Sequence, residues 1–230
     1  MNPPRDVPKK LDKRRREEVR AVLLRSLVPA KLFRINEMVI VRLTEPRPLP
    51  RPLENVKIRW GSIEDEPLLQ RIRPRKKGYR ANFESGSLCL IGEVGGEPAS
   101  FNFFERGEWH ASGSNAYRFA LGPHAVWAWG FEVHPRFRMS GVFAKQWNQA
   151  VPMLRELGYE RIYGSIQGDN PRSLKSHRRL GFEFLYRFKL WRLAGLIRYR
   201  VRPESDAEGP VLVGWGRWEG RDPSFSGCLR

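Results

Sequence analysis

The chain switches between two hydrophobic periods, and the switches mark its elements. Leu11, Val19, Val22, Leu23 and Leu27 recur at helical spacing among Lys13, Arg14, Arg15, Arg16, Arg20 and Arg25, which predicts a basic amphipathic helix over 11–27. Its apolar stripe suits either the body of a domain or an anionic membrane surface. Glu37–Thr44 (EMVIVRLT) reads as a strand, and Glu45–Leu53 (EPRPLPRPL) is a proline-rich connection that cannot continue it. Beyond it the pattern predicts a strand at Val56–Trp60, a helix at Ile63–Arg73 and a strand at Ser87–Val94. That strand turns at Gly95-Gly96 into Ala99–Glu105, a hairpin signature. Residues 106–124 are polar and glycine-rich, with a short strand near Tyr117–Leu121. Then follow a strand at Ala125–His134, a helix opened by Gly141 and running to about Leu157, a strand at Arg161–Ile166, a helix at Asn170–Leu180 and a strand at Phe182–Leu193. The tail from Pro203 is rich in Pro, Gly and Asp, with one strand at Val211–Trp215. The reading is mixed α/β without internal repeats: a basic arm over 1–53, a central domain over 54–202 and a tail over 203–230.

Composition narrows the class. The 230 residues include 13 Phe, 8 Trp and 6 Tyr, too much apolar surface for a disordered chain despite a net charge of +17. The charge is uneven: residues 1–34 hold 11 Lys/Arg against 4 Asp/Glu, and residues 170–202 hold 10 against 1. An anionic partner follows, whether a phosphorylated cofactor, an acidic membrane touched through residues 9–28, or nucleic acid. Nucleic acid rests on charge alone, because the sequence carries no helix-turn-helix, zinc or RNA-binding signature. The basic N-terminus has no apolar leader, and the longest apolar stretch, Ala125–Phe131, is about seven residues against the roughly 20 that cross a bilayer. Cys89 and Cys228 make no disulfide framework and have no partners at metal-ligand spacing, so no metal is expected. These features predict a cytoplasmic protein, at most peripheral to the inner face of the membrane.

The informative stretch runs from Val133 to Phe182. Val133-His134-Pro135-Arg136-Phe137-Arg138-Met139-Ser140-Gly141-Val142-Phe143 leads from a strand through a turn into a helix. The first N–H groups of a helix lack partners and carry the positive end of its dipole, so an anion over 138–143 gains several hydrogen bonds. Arg136 and Arg138 add charge. About 30 residues later, Asn170 suits an N-cap, Pro171 the first helical position, and Gly181 a left-handed C-terminus.

Together, in this order, the two segments resemble the GNAT superfamily of N-acetyltransferases, over roughly residues 56–193. Val133, Pro135, Phe137, Arg138 and Gly141 match its pyrophosphate loop. Asn170, Ser173, His177, Gly181 and Phe182 fall on its Asn-x-x-Ala/Ser…Tyr-x-x-x-Gly-Phe pattern. The resemblance implies a mostly antiparallel mixed sheet flanked by helices, with the strand of Val133 splayed from that of Ile166. It also implies acetyl-CoA or another acyl-CoA as donor. Arg138, Met139, Ser140, Gly141, Val142 and Phe143 would hold the pyrophosphate, the edge at Phe131–Val133 would pair with the pantetheine amides, and Asn170 and Ser173 would approach the donor. Dimers are common in the family. Met139 and Phe143 stand where the loop usually has small residues, and His177 stands where a Tyr protonates the departing thiolate; an imidazolium is the stronger acid of the two.

The general base is the open position. Carboxylates of the family usually sit four or six residues before Val133, where this chain has Trp129 and Trp127. Straight alternation puts Trp127, Trp129, Phe131 and Val133 on one face and Glu132 on the other, so Glu132 serves only if a bulge re-aims it. Water, His110 and His124 are the other routes for the proton. The tryptophans suit core packing, an aromatic acceptor pocket, or a longer acyl chain. The expected activity is acyl transfer from acyl-CoA to a primary amine of a small-molecule or cell-surface precursor. The alternatives are an acyl carrier protein as donor, or a non-catalytic protein binding an anionic membrane or nucleic acid.

Overall fold

The computed structural model describes residues 33–112, 117–193, 196–214 and 217–219. The helix expected over 11–27, the contact through 9–28 and Cys228 lie outside these residues. The strands are β1 (Phe33–Leu43), β2 (Val56–Gly61), β3 (Leu88–Val94), β4 (Glu97–Arg106), β5 (Trp109–Ser112), β6 (Tyr117–Ala120), β7 (Ala125–Val133), β8 (Arg161–Gln167), β9 (Glu183–Leu193), β10 (Leu196–Pro203), β11 (Val211–Gly214) and β12 (Arg217–Glu219). The helices are α1 (Glu66–Ile72), α2 (Arg80–Glu84), α3 (Val142–Arg155) and α4 (Pro171–Leu180). The single helix expected over 63–73 is a 3-10 turn at Ile63–Asp65 running into α1. The polar segment 106–124 contains β5 as well as β6.

One sheet runs in the order β12-β10-β9-β1-β8-β7-β4-β3-β2, and a second in the order β11-β6-β5. Among the described residues only β7–β8 and β10–β12 pair in parallel, so the sheet is mixed and mostly antiparallel, as the family resemblance implies. β1, which precedes the proline-rich connection, lies mid-sheet, paired with β8 on one side and β9 on the other. The connection then crosses the end of α4, where the Arg47 N–H donates to the Leu180 carbonyl at 2.8 Å, before reaching β2.

One face of the large sheet carries α3 and α4, whose Trp147, Val151, Leu154 and Leu180 pack on Leu90, Phe104, Val126 and Ile162. A buried Gln146 locks α3 in place. Its amide donates to the Leu90 carbonyl (3.1 Å) and to Asn102 Oδ1 (2.6 Å), and its oxygen accepts from the Ser100 hydroxyl. The other face carries α1 and α2 over Phe101 and Phe103, and the three-stranded sheet over Trp127 and Tyr163. Trp129 packs against both of these clusters, at the seam between them.

Candidate active site

β7 and β8 pair only from Ala125–Arg161 to Ala128–Gly164, while β8 continues along β1 as far as Gln167. From Trp129 onward the edge of β7 is therefore open toward β8. The last pair is tight: a Cβ on Gly164 would lie 3.2 Å from the Ala128 carbonyl oxygen. The chain then passes through a 3-10 turn at Pro135–Phe137 to Gly141, whose φ of +80° starts α3. Leu53 of the proline-rich connection packs where a Cβ on Gly141 would stand, at 2.7 Å, so both backbone angle and space require glycine there.

The Ser140 hydroxyl donates to the Phe137 carbonyl at 2.8 Å and accepts from the Val142 N–H at 3.3 Å. The N–H groups of Gly141, Phe143 and Ala144 have no partner among the described residues. They form a donor cluster at the positive end of a 14-residue helix. Met139 is 96% exposed and points to solvent. Phe143 turns inward, edge-on to Phe131 (4.8 Å) and His177 (5.2 Å). Arg138 is exposed, whereas Arg136 pairs with Glu97 at 2.8 Å and lies over the Phe137 ring. Asn170 caps α4 by accepting the Ser173 N–H at 3.0 Å.

The straight alternation expected along β7 does not hold. Gly130 has φ +63°, and the pairing with β4 slips between Phe101–Glu132 and Phe103–Trp129. This bulge inserts one residue and reverses the side chains beyond it. Phe131 accordingly stacks on Trp147 under α3, and Val133 packs beside Val142. Glu132 is carried to the face of Trp127 and Trp129, where it stands half-exposed, 3.8 Å from Arg73. Arg73 itself is positioned by Tyr79, whose buried hydroxyl donates to its carbonyl at 2.7 Å. Trp129 stacks on Phe103 at 5.1 Å, and its indole N–H is buried without a partner among the described residues.

His177 does not present a proton. It is 9% exposed, ringed by Phe143, Trp147 and Phe182, and its Nδ1–H donates to the Ser173 carbonyl at 2.8 Å. Burial lowers its pKa below 6.5, outweighing that bond, so the neutral imidazole prevails at pH 7. A depressed histidine stabilises the fold fully above the unfolded value near 6.5, and the contribution is lost as pH falls through the folded value. Tm should therefore drop on acidification below pH 6.5 more steeply in the wild type than in His177→Phe. Equal slopes by calorimetry between pH 7.5 and 5 would reject this.

Of the other histidines, His124 lies at the opposite end of β7 from the splay, exposed, with φ +55° and Nδ1 against the Gly158 carbonyl. His110 faces Trp127, ring on ring at 4.3 Å, with Nδ1 2.5 Å from Glu105 Oε2. This pair was not legible as a motif, because the sheets bring its members together. Cys89 is buried and burial raises its thiol pKa, which removes it as a nucleophile. Among the described residues, no group of three His, Cys, Asp or Glu is placed to hold a metal, and no helix is long and apolar enough to cross a membrane.

Residues 57–182 match the model of the acetyltransferase (GNAT) family. No curated protein matches the chain. Among solved structures it is similar to a GCN5-related N-acetyltransferase from Sphaerobacter thermophilus, with TM-score 0.51 and 13% identity over 76% of this chain and 56% of that one. It is also similar to a protein from Drosophila (0.50, 15%, 78% and 57%) and to a GNAT-family protein from Novosphingobium aromaticivorans (0.48, 13%, 68% and 63%). The chain thus spans less than two thirds of the length of each. The matched segment is more than half of the chain and takes in the splayed strands, the turn at Pro135 and the starts of both α3 and α4; the chain belongs to the GNAT acetyltransferase family.

Proposed function

We propose that the protein is an N-acyltransferase that moves an acetyl or longer acyl group from acyl-CoA to a primary amine of a small-molecule or cell-surface precursor. The observation that carries this reading is the splay of β7 from β8 directly ahead of the free N–H groups of α3. A pyrophosphate fits that helix start, and the open edge at Trp129–Val133 offers backbone donors and acceptors to an amide-bearing arm. The same edge would polarise the thioester carbonyl. The acceptor reaches it from the opposite face, over Trp129, between α1–α2 and the small sheet, with Glu132 as countercharge for the ammonium form. The amine nitrogen attacks the carbonyl carbon, the C–S bond breaks, the amine's proton goes to a base, and the thiolate, with a thiol pKa near 8.5, leaves without needing His177 as acid. In this reading His177 orders the wall beside Phe143.

Acetyl-CoA at a hundred times its Kd should raise Tm by roughly 5–10 °C, since that excess contributes about 2.7 kcal/mol and each kcal/mol moves Tm by about 2–4 °C in a chain of this size. A folded sample that shifts with neither CoA, acetyl-CoA nor longer acyl-CoAs would reject the CoA donor. One observation favours a carrier-protein donor: an open groove of about 500 Å³ lined by Arg47, Lys175, Arg178 and Arg179 with Pro171 and Leu174. A salt-sensitive shift with an acyl carrier protein and none with the CoA thioesters would select that reading.

A further inference from the structure

We propose that His110, held by Glu105, is the general base that takes the proton from the attacking nucleophile. The inference rests on the acyl-transfer reading above. Attack on a thioester needs a neutral amine, and the positions where the family carries a carboxylate hold Trp127 and Trp129. Glu132, although turned to the correct face, is already engaged by the Arg73 guanidinium at 3.8 Å.

The fold puts another basic group at the vacated position. Glu105 is the cross-strand partner of Trp127 on β4, so their side chains share the acceptor face. His110 comes from β5, and its ring lies parallel to Trp127 with 4.3 Å between centroids and 7° between planes. Among the described residues, the groups facing the ring are Glu105 from β4, Trp127 from β7 and Phe119 from β6. Glu105 accepts the Nδ1–H at 2.5 Å, which fixes the tautomer and leaves the lone pair on Nε2. The His110 side chain is 15% exposed, enough to be reached yet stacked in place. Trp127 is one residue before the final β7–β8 pair, and Trp129, the first residue of the open edge, is about 7 Å further along the strand. In the proposed reaction a nucleophile at the opening delivers its proton to Nε2 through bridging water. Nε2 gains the proton as the N–C bond forms and the C–S bond breaks, and Glu105 stabilises the resulting imidazolium. His110 is the catalytic residue, and Glu105 is a positioning residue.

The test uses the full chain with acetyl-CoA. Binding is measured by calorimetry, and free thiol is measured with 2-phenylethylamine as acceptor and, without it, with water, which the same base would activate. His110→Gln should keep the acetyl-CoA Kd and lower turnover 10²- to 10⁴-fold. Added imidazole should restore part of the turnover of His110→Ala, which a purely structural ring would not allow. Glu105→Gln should lower kcat about tenfold with KM for acetyl-CoA unchanged. The proposal is overturned by His110→Gln turning over within threefold of wild type. It is equally overturned by a wild type that binds acetyl-CoA but releases thiol with neither nucleophile, an outcome that leaves the donor site standing. Absence of acetyl-CoA binding removes the donor reading, and this proposal with it.

Discussion

Gln146→Leu should cost roughly 3–5 kcal/mol of stability and lower Tm by roughly 6–20 °C. Leucine nearly matches the volume of glutamine, so the loss is one of polar partners. The Leu90 carbonyl, Asn102 Oδ1 and the Ser100 hydroxyl would each lose a bond to Gln146 in a region with no exposure, and an unsatisfied buried group costs about 1–3 kcal/mol. The Asn102 amide nitrogen already has no partner among the described residues, so the side chain has little capacity to compensate. Urea denaturation would measure the cost, and a value below 1 kcal/mol would reject the account. Adding Ser100→Ala and Asn102→Leu to the variant should return a large part of the loss, because removing all partners together leaves fewer orphans. The network also sets the height of α3 above the sheet. A Cβ on Gly92 would stand 2.7 Å from Val142 Cγ2 and would also collide with the Ser100 hydroxyl, so helix and strand meet only over glycine. On the proposed donor site, losing the Gln146 clamp should therefore weaken acetyl-CoA binding as well as stability, because the N–H groups proposed to hold the pyrophosphate ride on this helix.

Features with a local cause were legible in the sequence. Gly95 and Gly96 both take positive φ in the β3–β4 turn, Asn170 caps α4, and Gly181 ends it in the left-handed region, each a requirement met by residue type alone. The strand, turn and helix start over Val133–Phe143 were legible for the same reason, since an unpartnered helix start following a strand is read without tertiary information. What escaped was long-range. The strand ahead of the proline-rich connection lies between β8 and β9, and pairing over more than a hundred residues leaves no local mark. The Glu105–His110 pair depends on the register of β4 with β7 and on a second sheet folding over both. Two signals were present and unread. Ile197-Arg198-Tyr199-Arg200-Val201-Arg202 alternates with a period of two, and Tyr199 of β10 is indeed buried between exposed Arg198 and Arg200. Gly130, a glycine inside a strand pattern, is the mark of a bulge.

That bulge decides which side chains of β7 share the face of Trp127 and Trp129, and substitutions at Gly130 should expose it. At φ +63° a β-branched residue is strongly disfavoured, whereas asparagine tolerates the left-handed region. Space is not the obstacle, because the nearest atom to an added Cβ is Phe103 Cδ2 at 3.8 Å. Gly130→Asn should thus keep acetyl-CoA turnover within a few-fold of wild type, Gly130→Ala should cost about 1–2 kcal/mol of strain, and Gly130→Val should cost more or iron the bulge out. A flattened β7 returns Phe131 and Val133 to the face of Trp127 and Trp129 and turns Glu132 under α3, a carboxylate buried among Phe143 and Trp147 without its Arg73 partner. Because either route disturbs the edge proposed to hold the thioester, Gly130→Val should lose at least 100-fold in kcat/KM and several degrees in Tm. Thiol-release kinetics and thermal melts on the three variants would measure the order. Valine performing as well as asparagine would mean that the left-handed residue at Gly130 does not set the faces of β7.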